Sequence, residues 1–495
     1  MERVTPEKFE QELKREFPRG IKGGEERLTV SEWAESKEVL ARYAYDPTKI
    51  FMGYRGGKPV GVGDDRHVLT VAGSRAGKGV SLMIPNLLLY QGSVLAIDPK
   101  GELAKITLRA RAAQGQHCYA LDPMGVSGHQ SACFNPLLEL DLGSEMLVDD
   151  VAQITEALIM GNEREPHWTD NARRLVKTII LYVLHATNDP KLVQERHFGT
   201  VLEFLSLTAA AVTHRSEMDK TDKMQALFAL LREADDVFGG EIKREAEAFE
   251  QVMQGGEREF SAILSTARTQ LEFLGSKPLM NTLTRSDFSL KDLKAGKATV
   301  YLCVPASMMN RYARWLRLII GMAMVSFEQH GEKPEIPVLM LLEEFNVLGH
   351  MQVIETAAGQ IAGSGVKLWT VLQDLSQIQR HYSKSWETFI GNAGVLTFFG
   401  NSDWRTLNYV SKKLGNIGML VERASGAGMT AIYGGAKALQ EDVRETPLLH
   451  THEIEKLFAR EKGRILVTVA GANPFAVQRA FYYEDAPFKD LADPV

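Results

Sequence analysis

The stretch HVLTVAGSRAGKG at residues 67–79, continued by VSLMIPNLLLY (80–90) and SVLAID (93–98), decides the fold. HVLTVA is a short apolar run of the kind that forms a buried strand, and the Gly-rich segment after it breaks the run. VSLMIPNLLLY has helix-like apolar spacing, and SVLAID is a second short strand. The unit is therefore strand, loop, helix, strand. Its loop has what phosphate binding requires: small residues that let backbone N–H groups converge, a helix N-terminus, and a lysine to reach phosphate oxygens. The strict pattern G-x-x-x-x-G-K-[ST] fails twice, because Ala72 stands at its first Gly and Gly79 at its hydroxyl. Taken alone, the string reads as well as an ordinary Gly turn.

Further strand-like runs follow after residue 285: ATVYLCV (298–304), IPVLMLLEEF (336–345), VKLWTVLQ (366–373), AGVLTFFG (393–400) and RILVTVAG (464–471). Short, nearly continuous apolar strands alternating with helices indicate a parallel sheet covered on both faces. Between about 147 and 285 strand signals nearly vanish, and VDDVAQITEALIM, TDNARRLVKTIILYVLHAT and DKMQALFALLREADDVF carry apolar residues every three or four positions. The expected architecture is α/β: residues 51–146 and 286–495 form one discontinuous, parallel-rich nucleotide-binding domain. Residues 147–285 form an inserted all-helical domain, and residues 1–50 a peripheral layer or arm.

A nucleotide hydrolase also needs a carboxylate at the end of a neighbouring strand, to hold the Mg²⁺ shell and orient water. Glu343 and Glu344 end VLMLL in tandem, and Gln373 ends the next strand-like run with an amide suited to a γ-phosphate or water. Ligands of open α/β sheets bind at the carboxyl ends of strands, where Lys78, Glu344 and Gln373 would lie. A solvated strand end accounts for each residue singly. Asp98 and Glu102 end another strand, where an ordinary turn explains them equally well. Arg311, Arg314 and Arg317 recur at threes and would line one helix face, either solvated or facing phosphates or an acidic partner.

Composition narrows the classes. The chain has 495 residues, 44% hydrophobic and 24% charged, with a net charge of −6, which is globular and far from a protein that coats nucleic acid. Any DNA contact must be local. Cys118, Cys133 and Cys303 form no CxxC pair, so neither a disulfide framework nor a zinc ribbon is supported. His450 with His452, and His117 with Cys118, lack further ligands at useful spacing, which leaves Mg²⁺ as the metal to expect. The first thirty residues lack the apolar core of a signal peptide. The apolar run from Leu316 to Phe327 falls short of the roughly 20 residues that cross a bilayer.

Taken together, the strings resemble the type IV coupling proteins, the TraG-like ATPases of bacterial conjugation and type IV secretion. The matching stretches are SRAGKGVSLMIPNLL, SVLAIDPKGE, ACFNPL, HWTDNARRLVKTIILYV, LLEEFNVLGH, GSGVKLWTVLQDLSQIQRHY, NAGVLTFFGNSDWRTLNYVSKKLG, TPLLHTHEIEKL and FYYEDAPF, in family order. The resemblance implies a RecA-like P-loop motor domain, an inserted all-alpha domain and a homo-hexameric ring with ATP sites between subunits. It also accommodates Ala72 and Gly79, since relatives often carry Ala and Gly at those positions. Ala72, Gly73, Ser74, Arg75, Ala76, Gly77, Lys78, Gly79 and Val80 would cradle ATP, with Lys78 on the phosphates. Glu343 would hold Mg²⁺ through water, Glu344 would act as general base, Gln373 as sensor, and Arg66 would contact the nucleotide.

The function implied is an ATPase that brings single-stranded DNA with its relaxase, or secreted proteins, to the components of a type IV secretion channel and drives transfer. The alternative is a receptor platform that docks those substrates and binds ATP without motor activity; a chromosome-segregation or DNA-packaging pump is a third. Two departures stand out. Glu343 replaces the Asp usual before the catalytic Glu. Relatives also commonly begin with transmembrane helices, whereas this chain reaches its phosphate loop by residue 78, as expected either of a cytosolic portion lacking its membrane anchor or of a soluble variant docked by other proteins at the inner-membrane face.

Overall fold

The computed structural model describes residues 5–16, 31–161, 164–207, 220–234, 236–424 and 439–494. Parts of the N-terminal segment and of the helical run read in the sequence, including Asp219 and Asp235, lie outside these residues. The chain divides into two compact units: residues 1–91 with 369–492, and residues 92–368 with 493–495.

The first unit contains β1 (Ile50–Arg55), β2 (Lys58–Val62), β3 (His67–Ala72), β8 (Val366–Leu372, from Trp369 onward), β9 (Ala393–Phe399), β12 (Arg464–Val469) and β13 (Phe475–Gln478). They lie in the order β2-β1-β13-β12-β9-β3-β8. β3 is parallel to both β8 and β9, whereas β9, β12, β13, β1 and β2 pair antiparallel in succession. The parallel expectation thus holds around β3 and gives way at the other edge. There two hairpins return the chain, one turning at Gly56-Gly57 with φ of 53° and 74°, the backbone sign favoured in tight hairpin turns. A separate pair, β10 (Asn416–Ala424) and β11 (Leu439–Pro447), is antiparallel.

The second unit contains β4 (Val94–Asp98), β5 (His117–Leu121), β6 (Ala298–Cys303) and β7 (Val338–Leu342), in the order β7-β4-β6-β5, every pair parallel. β4, β6 and β7 are buried along their whole length, as near-continuous apolar runs covered on both faces should be. The helical run supplies Leu147–Leu158, Pro166–Ala186, Phe198–Leu205, Lys220–Glu233, Glu241–Gly255 and Glu257–Leu271 to this same unit. Phe228, Phe249 and Phe260 meet edge to face at its centre.

The three arginines at threes do not share a face, because 100° per residue carries each third position back by 60° and turns the row by 120° from Arg311 to Arg317. Arg311 is exposed, Arg314 bonds Gln270, and Arg317 is buried on the helix Met309–Gln329. No described helix is long and apolar enough to cross a membrane.

The N-terminal segment is more than an arm. The helix Pro6–Glu16 buries Phe9 and Leu13, and Arg464 of β12, fully buried, donates to Glu12 at 2.7 Å and Glu16 at 2.6 Å. Burial disfavours ionisation of Glu16, yet hydrogen bonding and charge from Arg464, with Lys462, outweigh it and hold the carboxyl below its ordinary range. A carboxylate lowered in the folded state stabilises above its unfolded pKa, and that contribution is lost as pH falls. Arg464→Met should therefore release the helix at neutral pH, costing about 3 kcal/mol because two half-buried carboxylates lose their partner. Hydrogen exchange at residues 6–16 should rise in the variant at pH 7 and in the wild type on acidification.

Candidate active site

β3 ends at Ala72 between two parallel neighbours, and the chain passes at once beneath the turn that follows β9. Gly73 donates its N–H to the Phe399 carbonyl at 3.2 Å, and a Cβ on Gly73 would stand 1.9 Å from the Gly400 carbonyl oxygen. No other residue fits there. Ala76 then donates to Gly73 at 3.1 Å, closing a tight turn through Ser74 and Arg75, both exposed. Arg75 takes φ of 56° and Gly77 φ of 87°, and Lys78 stands at the head of a π turn, Gly79–Met83, that continues as the helix Ile84–Leu89. A helix's first turn leaves N–H groups without intrahelical acceptors, and the half-buried Lys78 stands at the head of that turn. Asn86 anchors the helix by a two-way amide pair with the backbone of Phe51. A glycine-pinned turn running into a helix N-terminus, with a lysine at its head, has the residue chemistry that fits a phosphate chain.

Gln373 follows β8, whose Leu372 lies opposite Val71 of β3, so its amide stands on the loop's edge of the sheet. Its backbone is held from both sides, N–H to the Gln377 side chain at 2.9 Å and carbonyl to Asn401 Nδ2 at 3.2 Å. Arg66 precedes β3, but its guanidinium forks onto Asp64 at 2.8 and 2.9 Å, and this pairing raises its pKa. Two of its five N–H donors are spent on that carboxylate.

In the second unit, Glu343 and Glu344 follow β7, both half-buried. Glu344 adopts φ of 53°, a left-handed conformation costly for a residue with a Cβ, and opens the short turn Phe345–Leu348. Arg317 clamps that turn, donating to the carbonyls of Leu348 at 2.6 Å and His350 at 2.7 Å.

The sequence pattern described as Type IV secretory system Conjugative DNA transfer matches residues 27–495. The chain belongs to this family. Protein VirD4 of Rhizobium radiobacter is 29% identical over 486 residues, 93% of this chain and 65% of VirD4. Conjugal transfer protein TraG of Escherichia coli is 26% identical over 454 residues, 86% of this chain and 68% of TraG. The chain thus spans a little under two thirds of the VirD4 relative's length. The solved plasmid coupling protein TrwB in complex with ADP and Mg²⁺ is similar at a TM-score of 0.64 and 14% identity, over 94% of this chain and 97% of that one. That likeness shows the fold, an α/β RecA-like P-loop fold.

In this member of the conjugative DNA transfer family, two residues that pack on the loop and on Gln373 escaped the sequence reading. Arg479, after β13, is buried and donates to Ser81 Oγ at 3.0 Å and to the Arg460 carbonyl at 3.3 Å, stacked between Phe399 and Phe481. Its Nη2 lies 2.3 Å from where a Cβ on Gly77 would stand, so the guanidinium fills the space that glycine leaves. Burial, then repulsion from Arg460, pulls its pKa down to about 10, and it stays charged at neutral pH. Asn401 is the other. Asn401 lies within the matching stretch NAGVLTFFGNSDWRTLNYVSKKLG, whereas Arg479 sits just before FYYEDAPF, and the flanking aromatics of QRAFYY were its only signal. Arg479→Lys keeps the charge but loses the fork and the stacking. It should lower stability by about 1–3 kcal/mol, read as a fall in melting temperature without nucleotide.

Asp98, which could have faced a nucleotide, instead accepts from Ala104 N–H at 2.8 Å and is 1% exposed. Burial pushes its pKa up to about 6 against the N–H bonds that lower it. A carboxyl raised in the folded state binds its proton more readily folded than unfolded, so stability falls as pH rises from about 4 to about 6 and is level above that. Asp98→Asn should remove this slope. The wild-type-minus-variant difference in denaturant midpoint should change across that window by the equivalent of up to about 3 kcal/mol.

Proposed function

We propose that this chain is the ATP-driven coupling component of a type IV secretion system, recruiting DNA with its relaxase, and protein substrates, to the channel. The observation that carries the reading is the phosphate cradle, in which Gly73 cannot bear a side chain and Gly77 yields its space to Arg479. TrwB is described with ADP and Mg²⁺; here residues 72–80 would hold ATP and Glu343 would hold Mg²⁺ through water. Bound there, Mg²⁺ would offset the charge of the phosphate oxygens. Lys78 places its ammonium against that same charge and lowers the cost of concentrating it in transfer. Glu344 accepts a proton from the attacking water as its oxygen bonds the γ-phosphorus and the bond to the bridging oxygen breaks, releasing ADP and phosphate. The Gln373 amide orients that water, and Arg66 contacts the nucleotide once it leaves Asp64.

The helical residues 147–285 act as the inserted domain that meets cargo or adaptors, and six copies form the ring, placed at the inner-membrane face. Two features favour the second reading, a docking platform with slow turnover: Gly79 offers no hydroxyl to the metal, and Glu343 carries one methylene more than Asp. ATP turnover with and without single-stranded DNA separates the readings. A motor gives DNA-stimulated turnover that falls by at least about 100-fold in Lys78→Ala and in Glu344→Gln, with binding lost only in the first. Nucleotide binding without turnover in an assembled ring would leave the docking platform.

A further inference from the structure

The helix Met309–Gln329 has a second polar end that the nucleotide reading does not use. Near its C-terminus it meets Leu147–Leu158 and the loop around residues 139–144, and these, with Lys291, line a partly open cavity of about 90 Å³ within the second unit. Leu318, Met322 and Ile154 form an apolar wall. Ser326 on that helix and His330 just past its end also line it, and neither Ser326 Oγ nor His330 Nδ1 has a hydrogen-bond partner. Ser326 is only 6% exposed. A helical serine commonly satisfies itself on the carbonyl four residues back; this one does not, and a buried hydroxyl left unpaired costs about 1–3 kcal/mol.

The charge around these two atoms is mostly negative, although Lys294 Nζ donates to the Phe327 carbonyl at 2.7 Å. Glu139, Asp141 and Asp150 line the cavity against a single ammonium, Lys291, and the helix's last carbonyls add partial negative charge. Gln329 bonds Asp150 at 2.8 Å and closes one side. Burial raises the Glu139 carboxyl above its ordinary range although Ser289 Oγ and Leu290 N–H donate to it, so an incoming cation would favour its ionised form. Acceptors therefore outnumber donors around a space that holds a few heavy atoms beside an apolar wall.

We propose that this cavity is a binding site for a small organic cation, an aliphatic amine or guanidine, whose N–H groups satisfy Ser326 Oγ, His330 Nδ1 and the carboxylates while its methylenes lie on Leu318, Met322 and Ile154. An anion would meet the carboxylates, and a neutral apolar guest would leave both polar atoms unpaired. The same helix carries Arg317, which clamps the turn after Glu344, so occupancy braces the element that holds the carboxylate turn.

The test uses the whole chain without nucleotide and agmatine as probe, read by saturation-transfer NMR and melting temperature. Agmatine at about 10 mM should give a saturable signal and raise the melting temperature by about 1–3 °C. Ser326→Ala removes no hydrogen bond of the empty protein, so it folds normally, and it should weaken agmatine about tenfold, as should Asp150→Asn. Met322→Trp, which fills the space, should abolish the signal. An equal response to 1-pentanol, no saturable agmatine signal, or an agmatine signal indifferent to all three substitutions would overturn the assignment. None of these readouts depends on ATP.

Discussion

The first unit depends on two turns passing at a distance that excludes side chains. Gly73 lies against the Gly400 carbonyl, and a Cβ on Gly400 would in turn stand 2.7 Å from that of Ala76. The turn after β3 and the turn after β9 are thus interlocked backbone to backbone. Parallel pairing of β3 with β9 brings the two turns to one edge, and their interlock sets where the phosphate loop bends. The helix that follows is then fixed from below by Asn86 and from beside by Arg479, so the loop is shaped before any ligand arrives.

What was legible in the sequence follows from how local each signal is. HVLTVA, SVLAID, ATVYLCV, VLMLL, VKLWTVL, AGVLTFF and RILVTV all form strands within a residue or two of their reading, because a doubly covered strand must be apolar at every position. The helical run was equally clear from its period. The hairpins of β1, β2, β12 and β13 were harder, since strand direction depends on partners far away in sequence. The arginines at threes misled because spacing by three follows one face only over a single turn.

At the candidate site, Lys78, the loop, Gln373 and the two glutamates were visible because strand ends and Gly-rich turns concentrate such chemistry. Arg479 and Asn401 were not. Each acts by reaching across from a separate strand, and only tertiary packing pairs them with Ser81 and Gln373. Arg317 is similar: its work on the turn after Glu344 is invisible until the helix's rotation is known. Asp98 shows the converse, a strand-end carboxylate with the right address that folding spends on a helix N-terminus instead.

The π turn at Gly79–Met83 has a consequence for the chemistry of the loop. A π turn accommodates one residue more than an α turn before the helix resumes, and each residue of a helix subtends about 100°. The added residue therefore fixes the azimuth of Lys78 relative to the buried side defined by Leu82, Met83 and Leu87. A chain of the same composition wound as a plain α-helix would carry its lysine about a quarter turn round from this position, with the apolar side unchanged. The phasing of one turn, and not the identity of any side chain, sets the side of the helix from which Lys78 departs.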